Sequence, residues 1–79
     1  MRIRYSEKFA KDMKLLPQDT KKILKAKLKI MSINLQNPSL NVKKIQGQED
    51  IYEISITQNV RMTWQHTDDG IFLRNIGEI

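Results

Sequence analysis

The chain of 79 residues contains no cysteine. Disulfides, thiolate metal sites and cysteine nucleophiles are therefore excluded. There is one histidine, His66, which leaves too few nitrogen or sulfur ligands for a structural zinc site. No apolar run approaches the ~20 residues that span a bilayer. The opening Met1-Arg2-Ile3-Arg4-Tyr5-Ser6 lacks the apolar stretch of a secretory signal, so a cytoplasmic location and no membrane partner are expected. Glycine-rich phosphate loops, nucleophile–base–acid arrangements and metal-ligand spacings are all missing, and no cofactor or metal is expected. Glycine and proline are scarce, three and two residues, and the hydrophobic share is 39%. That balance argues for a folded domain rather than a disordered tail. The length leaves room for one domain, residues 1–79, with a small core.

What is abundant is positive charge, and it is unevenly placed. Residues 1–44 hold twelve Lys or Arg against three Asp or Glu, a net of +9, whereas residues 45–79 hold two against six, a net of −4. Such asymmetry suits a basic half that approaches phosphate or an acidic partner. Lysine is also a good helix former on a solvated face, so no single lysine carries that reading.

The period of the apolar residues organises the chain. Arg2-Ile3-Arg4-Tyr5 alternates and predicts a short strand with Ile3 and Tyr5 inward. Ser6 stands where an N-cap belongs, and Phe9, Ala10, Met13 and Leu16 form the apolar stripe of a first helix. Pro17 stops that helix and opens a second, running to about Leu35 before Asn37-Pro38. The second helix carries two stripes. Leu24, Leu28, Met31 and Leu35 share one face; Ile23, Ala26, Ile30 and Ile33 form another, with Lys22, Lys25 and Lys29 between them. One stripe belongs to the core. The other meets the first helix or another chain, and the contact within the chain is favoured.

Beyond Ser39 the period falls to two. Val42–Gln46 can be a strand, and Gly47–Asp50 a turn. Tyr52, Ile54 and Ile56 fall on one side of a second strand, and Val60, Met62 and Trp64 on one side of a third. Thr67-Asp68-Asp69-Gly70 reads as a hairpin loop before a last strand, Ile71–Ile76. The expected fold is α+β: an N-terminal strand and two-helix hairpin packed on a twisted antiparallel sheet, with the helices covering its apolar face.

The other face is where charge-based chemistry can sit. Arg61 is expected in mid-strand among Glu53, Ser55, Thr57, Thr63 and Gln65. An arginine fork there matches phosphate oxygens, while a cross-strand pair with Glu53 is an equally good account. If Ile71 and Leu73 face the core, Phe72, Arg74 and Ile76 share the open face. Phe72 beside two arginines would then be a stacking platform for a base, or Phe72 and Ile76 an apolar docking patch. His66 ends a strand and reads as structural; Asp68 and Asp69 read as residues that solvate and cap the turn.

Six segments in register resemble the RelE/ParE superfamily, the toxins of bacterial type II toxin–antitoxin modules. They are Leu15-Leu16-Pro17 between the helices, Asn37-Pro38-Ser39 after them, Lys43 to Gly47 before a turn, Tyr52 to Ile56, Val60 to Trp64, and Phe72 to Gly77. The likeness covers nearly the whole chain, with the RelE-like branch favoured. It implies a ribosome-dependent mRNA endonuclease that works without metal through basic residues of the open sheet face and makes a 2′,3′-cyclic phosphate. Partners implied are a cognate antitoxin protein, the ribosome and mRNA. The alternatives are a ParE-like toxin that poisons gyrase, or an inactive RelE-like chain that only binds antitoxin. Carried over by position, Arg61 and Arg74 are the implied catalytic residues, and Lys43, Lys44 and Phe72 the implied substrate contacts. Departures from the RelE-like pattern are Glu53 and Ser55, where lysines often stand, and Glu78 and Ile79 after Gly77, where a basic residue and then a Tyr or His are expected.

Overall fold

A computed structural model describes residues 1–47 and 50–78. The elements run β1 (Arg2–Tyr5), α1 (Glu7–Lys14), α2 (Gln18–Ile33), a 3₁₀ turn (Pro38–Leu40), β2 (Lys43–Lys44), β3 (Ile51–Ser55), β4 (Val60–Thr67) and β5 (Gly70–Glu78). The α+β layout agrees with the sequence reading, but the sheet is mixed. Its order is β1-β5-β4-β3-β2; β1 pairs parallel with β5, and the other neighbours are antiparallel. A strand of four residues carries no sequence sign of its direction. Direction is set by where α1 and α2 return the chain.

Local chemistry accounts for the helix ends. Ser6 Oγ accepts a 2.9 Å bond from Phe9 N, the N-cap expected of it. Pro17 is the N-cap of α2 rather than its first helical residue, and α2 ends at Ile33 instead of Leu35. Asn37 Oδ1 accepts from Ser39 N and caps the 3₁₀ turn that Pro38 opens. The strand expected over Val42–Gln46 shrinks to Lys43–Lys44. Of the predicted turn, Gly47 has a φ of +81°, a conformation glycine adopts without penalty; Gln48 and Glu49 lie outside the described residues.

Both helices lie on one face of the sheet. Phe9 of α1 and Leu24 and Met31 of α2 join Ile54, Ile56, Val60, Met62, Trp64, Ile71, Leu73 and Ile76 in a single core. The first α2 stripe is thus buried or half-buried along its length. The second is not. Ile23, Ala26 and Ile33 are exposed, and only Ile30 reaches the core. The expected intramolecular contact fails because α1 spans eight residues and packs on β5. Tyr5 is also exposed, against expectation, with its ring centroid 6.2 Å from that of Phe9. At the outer edge of the sheet only one side of it is covered.

The parity of β5 breaks once. Leu73 opposes Trp64 and Asn75 opposes Thr63, so Arg74 is an extra residue, a β-bulge. The bulge turns Ile76 inward, where it is 2% exposed. This corrects the expectation that Phe72, Arg74 and Ile76 share the open face, and it removes the Phe72–Ile76 docking patch.

Candidate functional site: the open face of the sheet

Alternation and register place one surface opposite the helices. Across it run Arg2 and Arg4 from β1, Phe72 and Asn75 from β5, Arg61, Thr63 and Gln65 from β4, Glu53 and Ser55 from β3, and Lys43 from β2. Among the described residues no helix packs on this surface.

Arg61 lies on this face, as expected, but it is the second residue of β4, not a mid-strand one. Its Nη1 donates to the carbonyls of Thr57 and Gln58, both at 3.2 Å. Its Nε lies 3.8 Å from Glu53 Oε1. The guanidinium therefore stands at a fixed place beside the β3–β4 hairpin loop, half-buried, with one edge against the loop and Glu53 beside it. The cross-strand pair expected from sequence is present. It does not exclude a phosphate contact, because a guanidinium carries five donors.

Arg74 is half-buried in the bulge, and its carbonyl accepts a 2.8 Å bond from Ser6 Oγ. Phe72 is half-buried on the open face, with Arg4 as its β1 register partner and Gln65 as its β4 partner. Arg61 opposes Gly77, roughly 13 Å further along β5 at the usual strand rise. The arginine next to Phe72 in register is thus Arg4, not Arg61. Nothing in the sequence marks Arg2 and Arg4 for a role. Their outward parity was visible in the alternation of β1, but only the parallel pairing with β5 brings them beside Phe72. Arg4 also binds Asp69, Nη2 to Oδ2 at 3.1 Å, both largely exposed.

The two lysines separate. Lys43 pairs with Glu53 and stands on the open face; Lys44 pairs with Tyr52 and stands on the helix side. The structure therefore brings Arg61, Glu53 and Lys43 together, sets Phe72 with Arg4 at the other end, and places Lys44 elsewhere. His66 is exposed, its ring edge-on to Tyr52 with centroids 4.9 Å apart. Asp69 accepts from Thr67 Oγ1 at 3.2 Å, in keeping with its expected turn role.

The sequence matches no protein-family model and no curated protein. Solved structures do resemble it. A chain of the RelB–RelE antitoxin–toxin complex from Methanococcus jannaschii aligns with a TM-score of 0.83 and 25% identity, over 95% of this chain and 88% of that one. YafQ from Escherichia coli aligns at 0.80 and 22%, over 98% and 91%. The isolated RelE toxin of Escherichia coli aligns at 0.77 and 22%, over 96% and 81%. Because toxin chains solved alone are among the matches, the shared fold is the toxin's and not the antitoxin's. The chain folds as a RelE-like toxin. On that fold the open face carries an arginine fixed by a hairpin loop, a lysine on the edge strand and a carboxylate between them.

Proposed function

We propose that this protein is the toxin of a type II toxin–antitoxin module, acting in the cytoplasm as a ribosome-dependent mRNA endonuclease held in check by a cognate antitoxin. The RelE toxin fold carries this reading, matched over 95% of the chain. Several of the matched structures are toxin–antitoxin complexes, which supports an antitoxin as partner. Among the described residues no helix is long and apolar enough to cross a membrane.

The open face supplies the chemistry. Cleavage has the RNA 2′-oxygen attack the adjacent phosphorus; the 5′-oxygen leaves, and a 2′,3′-cyclic phosphate remains. Arg61 faces the phosphate oxygens, on which negative charge grows. Lys43 adds a second cation from the edge strand. Arginine is a poor proton acceptor, and the 2′-hydroxyl proton needs one. Glu53 supplies it: its carboxylate is 3.8 Å from Arg61 Nε, on the same face. The leaving oxygen takes its proton from solvent. Phe72 and Arg4 stack and hold the strand further along.

The test is a translation extract given the purified chain, with mRNA 5′ ends mapped on stalled ribosomes and DNA supercoiling by gyrase followed in parallel. Cuts that require ribosomes and leave cyclic phosphate support the endonuclease. Loss of supercoiling with intact mRNA favours the ParE-like alternative. Silence in both, with antitoxin still bound, makes the chain an inactive toxin.

A further inference from the structure

Past the C-terminus of α2, Leu35–Val42 passes over the ends of β3 and β4 and leaves a cleft of about 620 Å³ on the helix side of the sheet. It is a different surface from the open face. Tyr52, Trp64 and His66 line it, with Gln36, Asn37 and Asn41. Among the described residues, no Asp, Glu, Lys or Arg lines it.

The aromatic groups form a series. Tyr52 stacks on Trp64, with centroids 6.0 Å apart and planes 25° apart, and His66 stands edge-on to Tyr52. Trp64 is fully buried and belongs to the core, but Tyr52 is only half-buried and His66 is exposed. A solvent-facing imidazole does little for the core. It does present a flat ring at the mouth of a cleft. The indole Nε1–H of Trp64 is buried with no acceptor among the described residues. Asn41 is held in the left-handed region at φ 50°, and the Asn37 amide is fixed by its cap on Ser39 N. Amides carry donors and acceptors together, the pattern needed to read a base edge. The volume suits a small planar ligand with its sugar. Outside the cleft, exposed Lys44 is the register partner of Tyr52 and shares its face. A neutral aromatic cleft with a cation at its rim fits a planar base on an anionic strand. An acidic peptide would want cations along the walls.

We propose that this cleft holds one unstacked base of single-stranded RNA, with Lys44 against the neighbouring phosphate. The proposal rests on the reading of the chain as an RNA-directed toxin and gives that toxin a second contact with its substrate, away from the cutting face. Trp64 is the only tryptophan, so its single indole N–H resonance reports the cleft in the intact chain. Hexaadenylate, hexauridylate, AMP, a short RNA duplex and the cognate antitoxin would each be titrated. The single-stranded hexanucleotides should shift the indole and His66 signals. His66→Ala should weaken their binding about tenfold. Lys44→Gln should lower the slope of log affinity against log salt by about 0.7. Arg61→Ala should leave the indole response in place. An indole signal unmoved by hexanucleotides overturns the proposal, as does equal affinity for AMP or for duplex. A response to antitoxin alone makes the cleft a protein contact and overturns it too. Ribosome-dependent cleavage is assayed on the same samples. Cleavage without an indole response sinks the cleft and leaves the endonuclease; an indole response without cleavage sinks the endonuclease reading and leaves an RNA site.

Discussion

The Ser6 hydroxyl donates a 2.8 Å hydrogen bond to the carbonyl of Arg74 while accepting a 2.9 Å bond from Phe9 N. One side chain thus caps α1 and satisfies the backbone of the bulge in β5. A bulged residue drops out of the ladder, and its carbonyl needs another partner. The Ser6 amide also donates to the Leu73 carbonyl at 3.0 Å, so the β1–α1 corner is fastened to the residues that turn Ile76 into the core.

Ser6→Ala removes both side-chain bonds. Losing the cap costs about 1 kcal/mol, and the bared Arg74 carbonyl adds about as much again. For a chain of this length, about 4–8 °C of melting temperature goes with each kcal/mol. Ser6→Thr, which keeps the hydroxyl, should recover most of the loss. Thermal melts of the three proteins check it. Equal melting temperatures would mean that the bulge is held by β4 and not by Ser6.

Gly70 tests the parallel edge. A Cβ on Gly70 would lie 1.8 Å from the Arg2 carbonyl oxygen and 2.7 Å from Arg2 C and N. The obstacle is backbone, so no side-chain rotation relieves it. Gly70→Ala should push β1 off β5, at roughly 1–3 kcal/mol. Amide exchange should quicken in Ile3 and Tyr5 but not in β3. Shortening the side chain with Arg2→Ala in the Gly70→Ala background should restore nothing.

Much of this architecture was legible in alternation. Ile54 and Ile56, then Met62 and Trp64, occupy the core positions that a period of two assigns them. The bulge was not legible as such, since one extra residue leaves no chemical mark. Its only trace is the spacing of Ile71, Leu73 and Ile76, two residues and then three. The parallel pairing of β1 was hidden because direction depends on the helical return, and with it the neighbourhood of Arg4 and Phe72. The site was half legible. Arg61 reaches its expected face, but parity alone splits Lys43 from Lys44 once the edge strand is known, and the hairpin carbonyls that hold Arg61 come together only in the folded chain.

The exposed second stripe of α2 bears on the antitoxin. Ile23 and Ile33 are 39% and 78% exposed, with Lys22, Lys25 and Lys29 on the same helix. Replacing Ile23 and Ile33 with serine should change stability within about 0.5 kcal/mol each, as at other surface positions. If an acidic amphipathic antitoxin segment docks here, the double variant should release it faster, while Lys22, Lys25 and Lys29 substitutions should slow its association at low salt. Kinetics by surface-immobilised binding read the two effects separately. Unchanged rates in both sets would place the antitoxin elsewhere on the chain.

Arg61 and Glu53 make the sharpest pair of substitutions. Arg61→Ala removes the bonds to the Thr57 and Gln58 carbonyls, and should destabilise the chain by on the order of 1 kcal/mol. It should also lower cleavage about 10²–10³-fold, the usual loss when one fixed charge donor is removed from a transition state. Arg61→Lys keeps the charge without the planar fork, so it should recover part of the rate. Glu53→Gln separates proton transfer from structure. The amide keeps the shape and loses only the basic oxygen, so the melting temperature should hold. Cleavage should fall about 10²-fold or more, the contribution expected of a positioned general base. If Glu53 serves only to orient Arg61, Glu53→Gln should instead retain near-parental cleavage, because an amide oxygen still accepts from the guanidinium. Rates on ribosome-bound mRNA, read beside melting curves for each variant, distinguish these outcomes. A stable Arg61→Ala protein with undiminished cleavage would remove the hairpin arginine from the reaction altogether.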